Sequence, residues 1–152
     1  MIKTILVSKK VKEPMTSIDI VQCVAGKGIV GDRNYKRVKN PGQSITFIES
    51  EEIERYNKEH AQHALASDMR RNVVTQGVRL NDLVGKTFSF GDVVFKGMEL
   101  CEPCNTLGKA LETNSLSKAA VVRALVHSTG IRADILSSGN LQIGMPFHLL
   151  SD

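Results

Sequence analysis

The stretch LVGKTFSFGDVVFKGMEL, from Leu83 to Leu100, sets the expectation for the whole fold. Phe88 and Phe90 alternate with small hydroxyl residues, which is typical of a strand with one apolar face. The dipeptide Gly91-Asp92 then supplies a tight turn, and the second half of the stretch is again rich in valine and phenylalanine. The pattern predicts a β-hairpin that leads directly into a pair of cysteines.

Further short apolar segments on both sides of this hairpin have the length and composition of strands. They are Ile2 to Val7, Ile18 to Val24, QSITFIE (Gln43 to Glu49), RRNVVTQG (Arg70 to Gly77) and IRADILSSGNLQIGMPFHLL (Ile131 to Leu150). Two clear helices are predicted, EEIERYNKEHA with Ser50 as its cap and SLSKAAVVRALVHSTG with Gly130 as its stop. Seven or eight strands without regular helix alternation predict a mainly β fold, a closed or partly open β-barrel with two or three helices.

Length and composition predict a single domain over residues 1–152. Hydrophobic residues make up 41% of the chain and charged residues 24%, which is the balance of a globular protein. No apolar run approaches the ~20 residues of a membrane-spanning helix. Three cysteines, an odd number, are typical of a reducing compartment, so we expect a cytoplasmic protein. The net charge of +4 favours an anionic ligand.

Cys101 and Cys104 lie three residues apart in LCEPCNTL (Leu100 to Leu107), and four explanations of the pair compete. A zinc site needs a second pair of ligands, whereas Cys23 and four histidines are scattered without ligand spacing. A thioredoxin-like dithiol belongs early in a chain of alternating strands and helices. The remaining explanations are two buried core cysteines and one reactive thiolate. We expect Cys101 to be buried in a strand and Cys104 to be accessible in a loop after Pro103.

Basic residues and glycines elsewhere in the chain are consistent with an anion site. Arg33 follows Asp32 in the glycine-spaced loop AGKGIVGDRNYKR, and Arg70 and Arg71 precede Asn72 at the start of a predicted strand. Arginine can pair bidentately with phosphate, and glycine lets backbone N–H groups approach an anion. Structural explanations remain open: the aspartate can form a turn, the arginine pair can be solvated, and the glycines can serve turn geometry alone.

Six of these stretches together resemble the MOSC domain family, named for the C-terminal domain of molybdenum cofactor sulfurases. They follow the family's order: GIVGDRNY (Gly28 to Tyr35), QSITFIE, RRNVVTQG, LVGKTFSFGDVVFKG (Leu83 to Gly97), LCEPCNTL and GIRADILSSGNLQIGM (Gly130 to Met145). The resemblance covers most of the chain from about Ile18 onward. It implies a β-rich barrel of the type also found inserted in pyruvate kinase, which agrees with the strand count.

The resemblance also implies a cofactor and a site. Relatives bind molybdenum cofactor (molybdopterin), and a cysteine of this motif ligates the metal, so Cys104 is the implied metal ligand and catalytic residue. A thiolate is a soft ligand that suits molybdenum. The implied cofactor-binding residues are Asp32, Arg33, Arg70, Arg71 and Asn72. Many relatives have histidine where this chain has Asn34, so no role of that histidine carries over. We expect Arg33 and at least one of the paired arginines to meet Cys104 in one pocket.

Three functions compete at this point. The first is a molybdoenzyme component that reduces small N-hydroxylated compounds with electrons from a separate reductase. The second is a carrier module that holds a persulfide on Cys104 and delivers sulfur or cofactor to a partner protein. The third is a nucleic-acid-binding barrel, which an aromatic content of 5% and the absence of tryptophan disfavour because stacking platforms are missing. A deep pocket for the pterin favours the first function, and an exposed, shallow Cys104 favours the second. We expect no membrane partner.

Overall fold

The computed structural model describes residues 1–151, which form two sheets and three α-helices. The strands are β1 (Ile2–Val7), β2 (Thr16–Ser17), β3 (Ile20–Val24), β4 (Gly28–Ile29), β5 (Ile45–Glu49), β6 (Val73–Thr75), β7 (Thr87–Phe90), β8 (Val93–Leu100), β9 (Ile131–Ile135), β10 (Gly139–Gln142) and β11 (Phe147–Ser151). The helices are α1 (Ser50–His60), α2 (Asn105–Leu111) and α3 (Lys118–Leu125), with 3-10 turns at Ala66–Met69 and Leu80–Leu83. Over residues 1–151, no helix is both long and apolar enough to cross a bilayer.

The eight strands of the large sheet curl into a partly open barrel, as the sequence predicts. Their order is β11-β7-β8-β9-β5-β6-β1-β2, and β10-β3-β4 form a second, smaller sheet. Only β5 and β6 pair in parallel among the described strands. The predicted hairpin is confirmed, because β7 and β8 pair antiparallel and Phe90 lies opposite Val93 across the Gly91-Asp92 turn.

Strand β5 separates two hydrophobic cores because its successive side chains point to opposite faces of the sheet. Phe47 faces the barrel interior, where its ring packs edge-on against Phe95 with centroids 5.2 Å apart. Ile48 faces the other way, into a second core with Tyr56 of α1 and Val121 of α3. The three helices therefore cover the outer face of the sheet, and the inner face closes on itself.

The loop expected after Cys104 is in fact the helix α2, with Cys104 as its N-cap residue. Gly108 lies buried where α2 packs against α3. A Cβ atom at this position would come within 2.8 Å of Val122 Cγ2. The glycine thus allows two helices to approach closely. The prediction of a loop was wrong because this packing does not show in the local sequence.

The cap predicted for α1 is also corrected. The helix begins at Ser50 itself, and the N-cap residue is Glu49, which makes no side-chain capping bond. The Ser50 hydroxyl instead donates to Glu51 Oε1 at 3.0 Å. The acidic side chains of the first turn still favour the helix, because they interact well with the positive end of its dipole.

The predicted stop of α3 at Gly130 is wrong as well, since the helix already ends at Leu125. Gly130 instead has a φ of 87° and leads into β9, with no room for a side chain against the backbone of Phe47. The start of the helix follows the usual rule. Ser117 is its N-cap, and the hydroxyl oxygen accepts a hydrogen bond from Ala120 N at 3.2 Å.

Candidate functional site

A cavity of about 530 Å³ lies where the loop between β4 and β5 meets the adjacent ends of β8 and β9. Its wall is dominated by arginine, which no single segment of the chain could provide. The five arginines are Arg33, Arg37, Arg70, Arg71 and Arg132, and the two carboxylates are Asp32 and Glu99. This excess of positive charge makes the cavity a site for an anion.

Arg70 is anchored through one guanidinium nitrogen, and another nitrogen of the same group has no hydrogen-bond partner. It is the C-cap of the 3-10 turn Ala66–Met69 and has a φ of 56°. Its Nη1 atom donates to the Glu13 carbonyl at 2.7 Å, whereas Nη2 is buried without a hydrogen-bond partner. Burial lowers the pKa of Arg70, and the positive charge of Arg33 lowers it further. A buried N–H group without a partner beside a second cation favours the binding of an anion.

Arg71 is fixed more rigidly, on the side of the cavity near the cysteines. Its Nε donates to the Thr129 carbonyl at 2.9 Å and its Nη1 to the Met69 carbonyl at 3.1 Å. Burial lowers the pKa of Arg71, and the negative charge of a thiolate at Cys101 or Cys104 opposes that shift. Arg71 therefore brings a positioned positive charge to both sulfur atoms.

Asn72 and Asp32 line the cavity, but their side chains mainly hold the protein backbone. Asn72 is buried, and its Oδ1 accepts from Thr46 N at 3.2 Å while its Nδ2 donates to the Leu6 carbonyl at 3.2 Å. The Asp32 carboxylate accepts from Ser8 N at 3.1 Å and from Asn34 N at 3.2 Å. The contacts of Asp32 are therefore those of a turn-forming residue. Asn72 connects β5 to β1.

Three charged lining residues were not predicted as site residues from the sequence. They are Arg37, Glu99 and Arg132. Arg132 on β9 lies opposite Glu99 on β8. The two form an ion pair at the ends of these strands, with 3.0 Å between Arg132 Nη1 and Glu99 Oε1. The stretch GIRADIL already contained this arginine, but only the pairing of β8 with β9 shows that it shares a cavity with Arg33.

The two cysteines have the burial predicted for them, although Cys101 lies one residue beyond β8 and Cys104 is the N-cap of α2. Cys101 is 3% exposed, whereas Cys104 is exposed. Their relation to the cavity differs from the expectation, however. Cys101 lines the cavity beside Arg71 and Arg132, and Cys104 is not among the lining residues. The arginines do converge, but the structure does not bring Cys104 into the wall that they form.

The pKa of the Cys104 thiol is nevertheless lowered from its ordinary value. The backbone N–H of Leu107 lowers its pKa most, followed by contributions from Thr106 and the charge of Arg71. Neither amide forms a full capping hydrogen bond with the sulfur. Burial raises the pKa of Cys23 to about 12, so that thiol is inert by comparison. Within residues 1–151, no three histidine, cysteine or acidic side chains are grouped in a way that could hold a metal ion.

Fold and cavity together define a class of protein, a small, partly open β-barrel with an arginine-lined cavity. A family model for the MOSC domain matches residues 34–148, which is most of the chain. The chain belongs to the MOSC domain family, whose members in general bind molybdenum cofactor. No protein among the curated sequences matches significantly.

Solved structures show the same fold at low sequence identity. The YuaD protein from Bacillus subtilis is 16% identical, with a TM-score of 0.85 over 99% of this chain and 95% of that chain. YiiM from Escherichia coli is 15% identical, with a TM-score of 0.70 over 99% of this chain and 70% of that chain. YiiM from Geobacillus stearothermophilus is 16% identical, with a TM-score of 0.73 over 99% and 76%. The similarity extends over nearly all of this chain.

Proposed function

We propose that this protein binds molybdenum cofactor in the arginine-lined cavity and reduces small N-hydroxylated compounds. In this proposal Cys104 is the metal ligand, and electrons come from a separate reductase protein. The observation that supports the proposal most strongly is the approach of Arg33 to Arg70, whose buried Nη2 atom lacks a partner. Membership of the MOSC domain family is the second support.

The cavity suits the cofactor in charge and in size. Molybdopterin carries a phosphate group, and the free N–H of Arg70 beside Arg33 is the donor arrangement that phosphate oxygens accept. A volume of about 530 Å³ lies within the range of ligand sites, roughly 300–1,000 Å³. The charge and volume of the cavity therefore fit the group, while Cys104, the metal ligand of this proposal, lies outside the lining.

Each residue has a distinct part in this proposal. Arg33 and Arg70 hold the phosphate, and Asn72 keeps the strands behind them in register. Arg71 stabilises negative charge on sulfur, and the lowered pKa of Cys104 increases the share of the thiolate, which is the soft ligand. The cofactor, when bound, supplies the two-electron redox chemistry.

A comparison of two cysteine variants tests the proposal. Cys104→Ser is expected to lose molybdenum and N-hydroxy-compound reduction with the fold intact, because a protonated hydroxyl cannot replace a soft sulfur ligand. Cys101→Ser is expected mainly to lose stability, because it places a hydroxyl in a buried position. Metal content, pterin content and activity with a supplied reductase are measured for both. Retention of molybdenum by Cys104→Ser refutes the assignment, and selective loss in Cys101→Ser transfers it to Cys101.

A second candidate function, the sulfur carrier, is supported by the exposure of Cys104. A partner protein can reach an exposed thiolate of lowered pKa, and a carrier needs such access. Mass spectrometry after incubation with a sulfur-donor protein would then show an added sulfur on Cys104. A wild type that carries this sulfur, but never cofactor in a competent host, would favour the carrier over the enzyme.

A further inference from the structure

A second cavity, of about 340 Å³, lies on the helical side of the molecule and shares no lining residue with the first. It is formed where the C-terminal ends of α1 and α2 meet the turn at residues 112–115. Nothing in the proposed cofactor chemistry uses this cavity. The charged residues of its lining also differ, because it has two carboxylates and no arginine, whereas the first cavity has five arginines.

Tyr56 provides the first sign that this cavity takes a ligand. Its side chain is completely buried and lines the cavity, and its hydroxyl has no hydrogen-bond partner. Such an orphaned group is costly to keep, since buried hydroxyls are almost always paired. A ligand with a hydrogen-bond donor would supply the missing partner.

The charge of the cavity indicates the kind of donor. Asp68 and Glu112 contribute carboxylates, His63 contributes an imidazole, and no lysine or arginine lines the wall. Helix α1 also ends here, with Ala61 as its left-handed C-cap, and a helix C-terminus carries partial negative charge. Although the whole protein has a net charge of +4, the negative potential of this cavity attracts a cation.

A hydrogen-bonded network holds the wall of the cavity in place. The buried Gln62 donates from Nε2 to the His60 carbonyl at 2.9 Å and to Ser115 Oγ at 3.3 Å. Its Oε1 accepts from Thr113 Oγ1 at 3.2 Å. These bonds tie the turn to the end of α1, so the cavity is formed before any ligand arrives.

We propose that this second cavity binds a small organic cation with a primary ammonium group. An ammonium group has three donors and no acceptor, which matches the two carboxylates and the unpaired phenol oxygen of the lining. This site is independent of the cofactor and of Cys104.

Calorimetric titration of the full chain with three compounds of similar length tests the proposal. The probes are 1,4-diaminobutane, 1,4-butanediol and succinate, at low ionic strength. The diamine is expected to bind, while the neutral diol and the anionic succinate are not. Glu112→Gln and Tyr56→Phe are each expected to weaken diamine binding about fivefold, the loss of one modest polar contact. Glu54→Gln removes the same charge from a residue outside the lining and is expected to change nothing.

Several results would overturn the inference. They are the absence of diamine binding to the wild type, equal binding of the diol or succinate, and equal weakening by Glu54→Gln. If Tyr56→Phe does not fold, the exposed Glu112→Gln decides the question alone. Unchanged diamine affinity in Glu112→Gln would then place the cation elsewhere on the protein.

Discussion

The guanidinium group of Arg70 shows how single atoms define the first cavity. One of its nitrogens is anchored to the Glu13 carbonyl, and another is buried without a partner. A lone surface arginine would have water for all its donors, so burial without a partner is the informative feature. The same reasoning applies to the hydroxyl of Tyr56 in the second cavity.

Tyr56→Phe is expected to stabilise the ligand-free protein by about 1–2 kcal/mol, because it removes an unpaired buried hydroxyl and keeps the ring. The free energy of unfolding in urea measures the effect. Tyr35→Phe is the control, since Tyr35 is only half-buried, and it is expected to change stability by less than about 0.5 kcal/mol. A loss of stability in Tyr56→Phe would show that the hydroxyl has a partner after all.

Cys104 is expected to react as a thiolate at lower pH than an ordinary cysteine. The backbone N–H of Leu107, with smaller contributions from Thr106 and Arg71, lowers the pKa of this thiol. The midpoint of its alkylation rate against pH should lie below that of the peptide EPCNT, which lacks the helix and the arginine. Cys23 should remain unlabelled over the same range, because burial raises its pKa to about 12. A Cys104 midpoint equal to that of the peptide would contradict the account.

At the scale of elements, the start of β9 connects the barrel to the cysteine motif. Gly130 packs directly on the backbone of Phe47 in β5, and its carbonyl accepts from Cys101 N at 2.8 Å. Cys101 is held from the other side by the Thr129 hydroxyl, which donates to its carbonyl. Two consecutive residues before β9 thus fix the end of β8 and the buried thiol.

Gly130→Ala should therefore be far more damaging than another glycine substitution with the same backbone strain. Gly130 has a φ of 87° and Gly26 a φ of 70°, but an added Cβ meets backbone atoms only at Gly130. We expect a loss of more than about 3 kcal/mol for Gly130→Ala and about 1 kcal/mol for Gly26→Ala. Denaturant unfolding of both variants measures the difference. Equal losses would mean that strain alone, and not contact with Phe47, makes the glycine necessary.

The helix α2 was missed for a reason that lies outside its own sequence. Gly108 lowers the intrinsic helix propensity of the segment, and only its contact with α3 explains why a glycine is present. The hairpin of β7 and β8 was predictable because its alternation and its turn are both local. Local patterns predict elements well, but packing between elements that are distant in sequence does not show in them.

At the scale of the whole molecule, the sequence predicted a mainly β, barrel-like fold, and this is confirmed. Composition and strand count were sufficient for that class. The site was predicted less completely. The resemblance indicated Arg33, Arg70 and Arg71, but the ion pair of Arg132 with Glu99 depends on the register of β8 and β9. That register also decides that Cys101, and not Cys104, lines the cavity.

The opposite charges of the two cavities give the molecule two faces for different ligands. The first collects arginines from segments between Arg33 and Arg132, and the second lacks lysine and arginine. Loss of an anion from the first cavity should leave cation binding to the second unchanged, because they share no lining residue. The cofactor proposal and the ammonium proposal can thus fail separately.

The most direct test of the central claim is the molybdenum and pterin content of protein purified from a host that makes the cofactor. The wild type is expected to carry both in stoichiometric amounts. Arg33→Gln and Arg70→Gln should each weaken retention about tenfold or more, since each removes a charge-assisted contact with the phosphate. Arg123→Gln, an exposed arginine outside the cavity, should retain the wild-type content. A wild type without molybdenum or pterin, or Arg33 and Arg70 variants with undiminished content, would contradict the claim that this cavity is a cofactor site.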